Sequence, residues 1–325
     1  MKAVIVATLL ATAAITSADA TGLRIPSGSK PGGCHIPPKV MPNELIKTAR
    51  PHEYIKKADV PRDFAWSNVN GTSYLTPSRN QHIPEYCGSC WAMGSTVALA
   101  DRIKIKRQTK FPDYMLAVQT MVYCLCNGCM GGNAYVVYDY AASTGIPVDT
   151  CQNYISQGTG SECSAVHTCE NCDPTTHQCY AITNYTNFKV SEHGRVLGVD
   201  NMKAEILARG PIACGVDAGP VYEWGFGADG KKVFTAGAGQ TTIDHIISVV
   251  GWGYDATQNV NYWTIRNSWG EYWGDNGFFR LEMGQDQLGM ESYPCSWAVP
   301  IIPDAIAASD ASKTSIPNPA THYMH

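Results

Sequence analysis

The chain predicts an α+β fold of two sub-domains with a cleft between them, and three observations carry that expectation. Met93, Val97, Ala100 and Ile103 recur at spacings of four, three and three, and helical patterning runs from Cys90 to about Ala142. After Pro211 the pattern changes to short β-branched or aromatic runs bounded by glycines: Ile246–Trp252, Asn261–Arg266 and Gly277–Met283. Helices first and strands second suit elements segregated on either side of a cleft. The 325 residues, 44% hydrophobic and 10% aromatic, suffice for one large or two small domains with a sizeable core.

In chain order, residues 1–20 read as a secretory signal. Lys2 supplies the positive start, Val4 to Ile15 is mostly apolar, and Ala18-Asp19-Ala20 offers a small-residue cleavage site. The apolar run is shorter than the ~20 residues a membrane span needs, so no membrane span is expected. Residues 21–59 open rich in Gly, Pro and Ser and read as a short pro-segment. A core-like stretch begins near Val60-Pro61 with Phe64, Trp66 and Val69, and a catalytic domain is expected over 60–300. The tail 301–325 is rich in Ala, Ser and Pro and is expected to be disordered. No internal repeat is present.

The net charge of −4 and the lack of a basic stripe give no reason to expect nucleic acid or anionic membranes as partners. An exported chain makes thirteen cysteines legible as mostly paired, and the sequons at Asn70 and Asn184 agree with a glycosylating secretory pathway. The pairs Cys126/Cys129 and Cys169/Cys172 have zinc-knuckle spacing, yet in an oxidising compartment disulfides are the stronger reading. No cofactor and no metal are expected.

Cys90 follows a Cys-Gly-Ser turn at the start of the helical pattern. There the positive end of the helix dipole favours thiolate, the nucleophilic form. A thiol nucleophile needs a base and a group that orients the base. His245 opens a strand-like run, and a neighbouring run ends at Asn267-Ser268-Trp269-Gly270, which would bring Asn267 beside His245 with Trp269 shielding the contact. Upstream, the Gln81 amide could donate to a developing oxyanion.

These blocks, Gln81 to Cys87-Gly88-Ser89-Cys90-Trp91, then His245 into Val250-Gly251-Trp252-Gly253, then Asn267-Ser268-Trp269-Gly270, resemble the papain-like cysteine proteases in kind and order over residues 60 to 300. The resemblance implies a papain-like α+β fold, a helical left sub-domain and an antiparallel, barrel-like right one. It also implies Cys90 as nucleophile, His245 as general acid and base, Asn267 as orienter, and Gln81 with the Cys90 N–H as oxyanion hole. Gly131 and Gly132 would let substrate backbone approach closely, with Trp269 also lining the site. Cys90 and His245 stand further apart than the roughly 130–150 residues usual in the family, which inserted loops can absorb.

Five residues, His82 to Tyr86, separate Gln81 from Cys87 where most of the family has two. The extra His82-Ile83-Pro84 resembles the carboxypeptidase branch of the family, as do Pro51-His52-Glu53-Tyr54 and Ala100-Asp101-Arg102-Ile103. Met93-Gly94 departs from the His-Ala expected there. The insertion would wall off the leaving-group side, and His82, charged at lysosomal pH, would hold a substrate's terminal carboxylate. The substrates would then be peptides or proteins with a free C-terminus. An endopeptidase and an inactive binding-only homologue are the alternatives.

The same resemblance implies that Cys34, in the pro-segment, bridges Cys90 as a zymogen latch, and that Cys87 pairs with Cys129; Cys214–Cys295 is plausible. Cys126 is left spare, and pairing within 151–179 stays open. His35-Ile36-Pro37 repeats the His-Ile-Pro of the insertion and reads as coincidence. A monomer in the lysosome or outside the cell is expected.

Overall fold

The computed structural model describes residues 33–227, 229–235 and 242–313. The signal at 1–20, the start of the pro-segment and the end of the tail lie outside the described residues. No helix among the described residues is long and apolar enough to cross a membrane.

An open sheet forms one half. Its strands run Val190–Val196, Cys295–Pro300, Ile212–Val216, His245–Asp255, Val260–Arg266, Phe278–Glu282 and Val233–Phe234 across the sheet, and Phe64–Ala65 pairs separately with His245–Asp255. Every pairing is antiparallel except that of Val233–Phe234 with Phe278–Glu282. The barrel-like sub-domain of the sequence reading is thus a mixed sheet without closure. The run Ile246-Ile247-Ser248-Val249-Val250 builds the central strand because β-branched side chains fit a pleated surface buried on both faces. Gly251 in that strand has no substitute: a Cβ there would run into the Phe64 carbonyl.

The helical half packs on the helices Cys90–Lys106, Val118–Cys124 and Ala134–Ser143. The first is buried well beyond the one face that its spacing marks. Fifteen of its 17 residues are buried, including Asp101 and Arg102. It lies between the two halves, so its polar residues are satisfied internally. Asp101 pairs with Arg266, while its Oδ1 accepts the Thr76 N–H and Oγ1–H at 2.7 and 2.8 Å. The Arg102 guanidinium donates to the carbonyls of Pro211, Ala298 and Gly210 and sits 3.0 Å from Glu205.

The tail is ordered further than its composition suggests. Asp304–Ala311 is helical, with Ile306 buried. Arg107 holds it through a two-pronged contact to Asp310, at 2.7 Å from Nε and 3.0 Å from Nη2. One apolar residue and one buried ion pair supply the docking that alanine-rich composition hides.

Candidate active site

Local chain chemistry brings the expected residues together. Ser89 caps the central helix, its carbonyl accepting the Ala92 and Met93 N–H groups, and this sets Cys90 at the first helical position. No acidic residue occupies the first turn to oppose a thiolate there. The Ile246 N–H donates to Cys90 Sγ at 3.3 Å, binding the helix start to the central strand.

His245 opens that strand opposite Val216. Antiparallel pairing of Ser248 with Arg266 carries the next residue, Asn267, back to His245. The result is a 2.8 Å contact between His245 Nε2 and Asn267 Oδ1. An amide oxygen only accepts, so Nε2 carries the proton and Nδ1 offers its lone pair. Nδ1 faces sulfur, 3.3 Å from Cys34 Sγ. Trp269 stacks over the imidazole at 4.8 Å and 29° and keeps water from the His245–Asn267 contact. The imidazole is fully buried, and burial pushes its pKa down to about 4 against the opposing pull of Asn267.

Gln81 is buried beside them. Its Nε2 donates to the Cys87 carbonyl at 3.0 Å, leaving a second N–H, and its Oε1 accepts from Ser268 Oγ at 2.7 Å. The amide orientation is therefore set by a neighbour of Asn267.

Cys34 is joined to Cys90 by a disulfide with Cα atoms 5.7 Å apart. The segment around it lies along the helical half. The Gly132 N–H donates to the Cys34 carbonyl at 3.0 Å and the Ile36 N–H to the Gly132 carbonyl at 2.7 Å. The N–H groups of Cys34 and His35 both donate to the Asp244 carbonyl. Gly132 has no room for a side chain, since a Cβ would meet the Trp91 ring at 2.6 Å. Gly131, at φ +111°, lies in the left-handed region that favours glycine. His35 is buried, 2.9 Å from the Tyr293 hydroxyl, with its pKa lowered to about 4 by burial. Further along, Leu45 pairs with His193 on the sheet edge, and Glu192 accepts the N–H groups of Lys47 and Thr48.

The remaining bridges are Cys87–Cys129, Cys124–Cys163, Cys151–Cys169, Cys172–Cys179 and Cys214–Cys295, and Cys126 is free. Asn70 and Asn184 are both exposed.

The inserted loop stands beside Trp269. His82 stacks toward Trp269 at 6.4 Å and 24° and against Tyr86 at 4.8 Å. Tyr154 donates to the Gln81 carbonyl and Ser156 to the Ile83 carbonyl, both at 2.7 Å, pinning the loop to the helical half. The sequence reading of a charged His82 needs correction: burial pushes its pKa down to about 4, so its surroundings disfavour the charged form.

The family profile described as papain family cysteine protease matches residues 60–298. The chain belongs to the papain family of cysteine proteases. Among relatives, this papain-family peptidase is 44% identical over 250 residues to cathepsin Z of Onchocerca volvulus, covering 75% of the chain and 79% of that protein. It is 30% identical over 252 residues to cathepsin C of Schistosoma mansoni, covering 72% and 50%. Its fold is similar to that of procathepsin B S9 from Trypanosoma congolense, with a TM-score of 0.64 at 19% identity over 83% and 86% of the two chains. Procathepsin L2 of the Tenebrio molitor larval midgut aligns with a TM-score of 0.56 at 25% identity over 78% and 76%. The expected papain-like α+β fold is therefore that of the molecule.

Sequence reasoning missed the residues that hold this peptidase site from behind. Asp101 and Arg266 tie the central helix to the strand that delivers Asn267, and Tyr154 and Ser156 brace the insertion. A buried-looking Asp-Arg pair inside an apolar helix was the available signal for the first; loop residues 73 positions away offered none for the second.

Proposed function

We propose that the protein is a cysteine-type carboxypeptidase of the cathepsin X (cathepsin Z) kind, made as a latched zymogen. It would remove C-terminal residues from peptides and proteins through a thioester acyl-enzyme. The observation that carries this reading is His82: the loop that exceeds the family pattern stands beside the His245–Trp269 stack with its imidazole facing Trp269.

In the mature enzyme the Cys90 thiolate attacks the scissile carbonyl. The oxyanion is met by the Cys90 N–H and the free N–H of Gln81 Nε2, a kind of donor worth roughly 10²–10³ in kcat. His245 protonates the leaving amine and then takes a proton from water for deacylation. Asn267 keeps the ring turned so that Nδ1 serves sulfur. With Cys90 reduced, a thiolate beside Nδ1 raises the imidazole pKa from its latched value, and the ion pair forms. His82 then receives the terminal carboxylate. Neutral when empty, it gains a proton as the anion arrives, because an opposite charge within hydrogen-bond reach favours the charged form.

The pro-segment, up to residue 59, supports latency in two ways. Its Cys34 occupies the thiol, and its backbone fills the Gly132 edge that substrate backbone needs. Cleavage of the pro-segment, export through a secretory pathway to lysosome or exterior, glycosylation at Asn70 and Asn184 and a monomeric state belong to the same reading. C-terminal sequencing of products from an unblocked peptide tests it. Stepwise loss of single C-terminal residues is expected; internal cuts as the main products would favour an endopeptidase.

A further inference from the structure

Three potential ligand atoms meet at the latch. Cys34 Sγ, Cys90 Sγ and a ring nitrogen of His245 lie within 4.8 Å of one another, and all three residues are buried. A tetrahedral zinc with Zn–S near ~2.3 Å and Zn–N near ~2.0–2.1 Å sets its sulfurs about 3.8 Å apart and sulfur and nitrogen about 3.5 Å apart. Cys34 Sγ already stands 3.3 Å from His245 Nδ1. The two sulfurs have to part, from bonding distance to about 3.8 Å, and Cys90 Sγ, within 4.8 Å of the ring nitrogen, has to settle at about 3.5 Å from it.

The third ligand is prepared in the way zinc histidines usually are. Asn267 Oδ1 accepts the Nε2 proton at 2.8 Å, which fixes the tautomer and aims the Nδ1 lone pair at the sulfurs. Charge also balances. Two thiolates neutralise one divalent cation, so the buried complex carries no net charge, whereas two thiolates alone in that place would be costly.

We propose that the opened latch is a zinc site: with the pro-segment docked and the Cys34–Cys90 bond reduced, Cys34, Cys90 and His245 bind one Zn²⁺, with water as the fourth ligand. A dithiol reductant supplies two electrons and two protons to the protein disulfide and itself becomes a disulfide. Zinc then displaces the two thiol protons to solvent. Entry requires the Cys34–Ile36 strand to lift, which breaks its backbone contacts to Gly132 and Asp244; the strand then settles back on the metal. Reduction alone therefore leaves the proenzyme closed while zinc is present, and a chelator opens it. The site rests on three ligands and stands whether or not Cys90 is the nucleophile.

Cobalt is the probe, because it reports thiolate ligation by colour. Full-length proenzyme carrying Cys126→Ser is treated with a dithiol until two thiols per chain appear, then titrated with Co²⁺ without oxygen. One equivalent is expected to give a thiolate-to-cobalt charge-transfer band with tetrahedral d–d bands, bleached by one equivalent of Zn²⁺. The unreduced proenzyme gives no band. Cys34→Ser and Cys90→Ser, which change different segments, each lose about half of the charge-transfer intensity, so misfolding of one leaves the other to report. Asn267→Ala, a positioning change, weakens zinc about 10- to 100-fold. No band in the reduced protein, or full intensity in both single-cysteine variants, overturns the proposal.

Discussion

Acid should loosen the docked pro-segment, and His35 gives the effect a size. Its imidazole is buried against Tyr293, and burial lowers its pKa to about 4 from the ordinary 6.5. Unfolded chain takes up the proton as pH falls below about 6.5, while folded protein refuses it until about 4. The neutral form's advantage is therefore complete above 6.5 and is lost as pH falls toward 4. At 1.36 kcal/mol per pKa unit, moving from pH 7 to pH 5 removes about 2 kcal/mol through this one group. His82 and His245 shift in the same direction and add to the total fall. The assay is urea unfolding of the latched proenzyme, disulfides intact, at both pH values, beside His35→Gln, which keeps a partner for the Tyr293 hydroxyl. The variant should lose about 2 kcal/mol less than the wild type between pH 7 and pH 5. Parallel losses in the two proteins would refute the assignment of His35 as a buried neutral base.

Other outcomes follow from the same geometry. Arg266→Met leaves Asp101 buried without its cation and should cost about 3–5 kcal/mol, read as a lower Tm of the proenzyme. Gln81→Ala should reduce kcat of the matured enzyme by roughly 10²–10³ with little change in KM, since its donor acts on the oxyanion. Asp310→Ala frees the C-terminal helix from Arg107; a loss of about 1–3 kcal/mol and faster proteolysis after residue 300 are expected, the latter visible by intact mass.

The central strands were legible because β-branched runs between glycines have few alternatives, and the observed His245–Asp255, Val260–Arg266 and Phe278–Glu282 overlap the expected runs closely. Cys90, His245 and Asn267 were legible for a related reason: each sits at the boundary of a patterned element, so topology alone brings them together. What sequence hid is what depends on burial. The period of Met93, Val97, Ala100 and Ile103 marks one face of the central helix, but cannot tell that the other faces are also covered and that Asp101 and Arg102 are paired inside. The same blindness applied to His82, whose charge state follows from the rings around it rather than from its identity. His35-Ile36-Pro37, read as a chance repeat, places His35 between Gly132 and Tyr293, a burial that its sequence did not announce. The tail misled in the opposite direction, since buried Ile306 and the Arg107–Asp310 pair dock a segment whose composition promises no order.

The direction of the cut is the central claim, and paired peptides that differ only in a free or amidated C-terminus test it most directly. For the matured enzyme, kcat/KM on the free acid should exceed that on the amide by about 10- to 150-fold, the worth of one hydrogen bond to a charged group. His82→Ala should erase most of that difference while leaving the amide rate nearly unchanged. Equal rates on the two peptides in the wild type, or a preference that survives His82→Ala, would contradict the account.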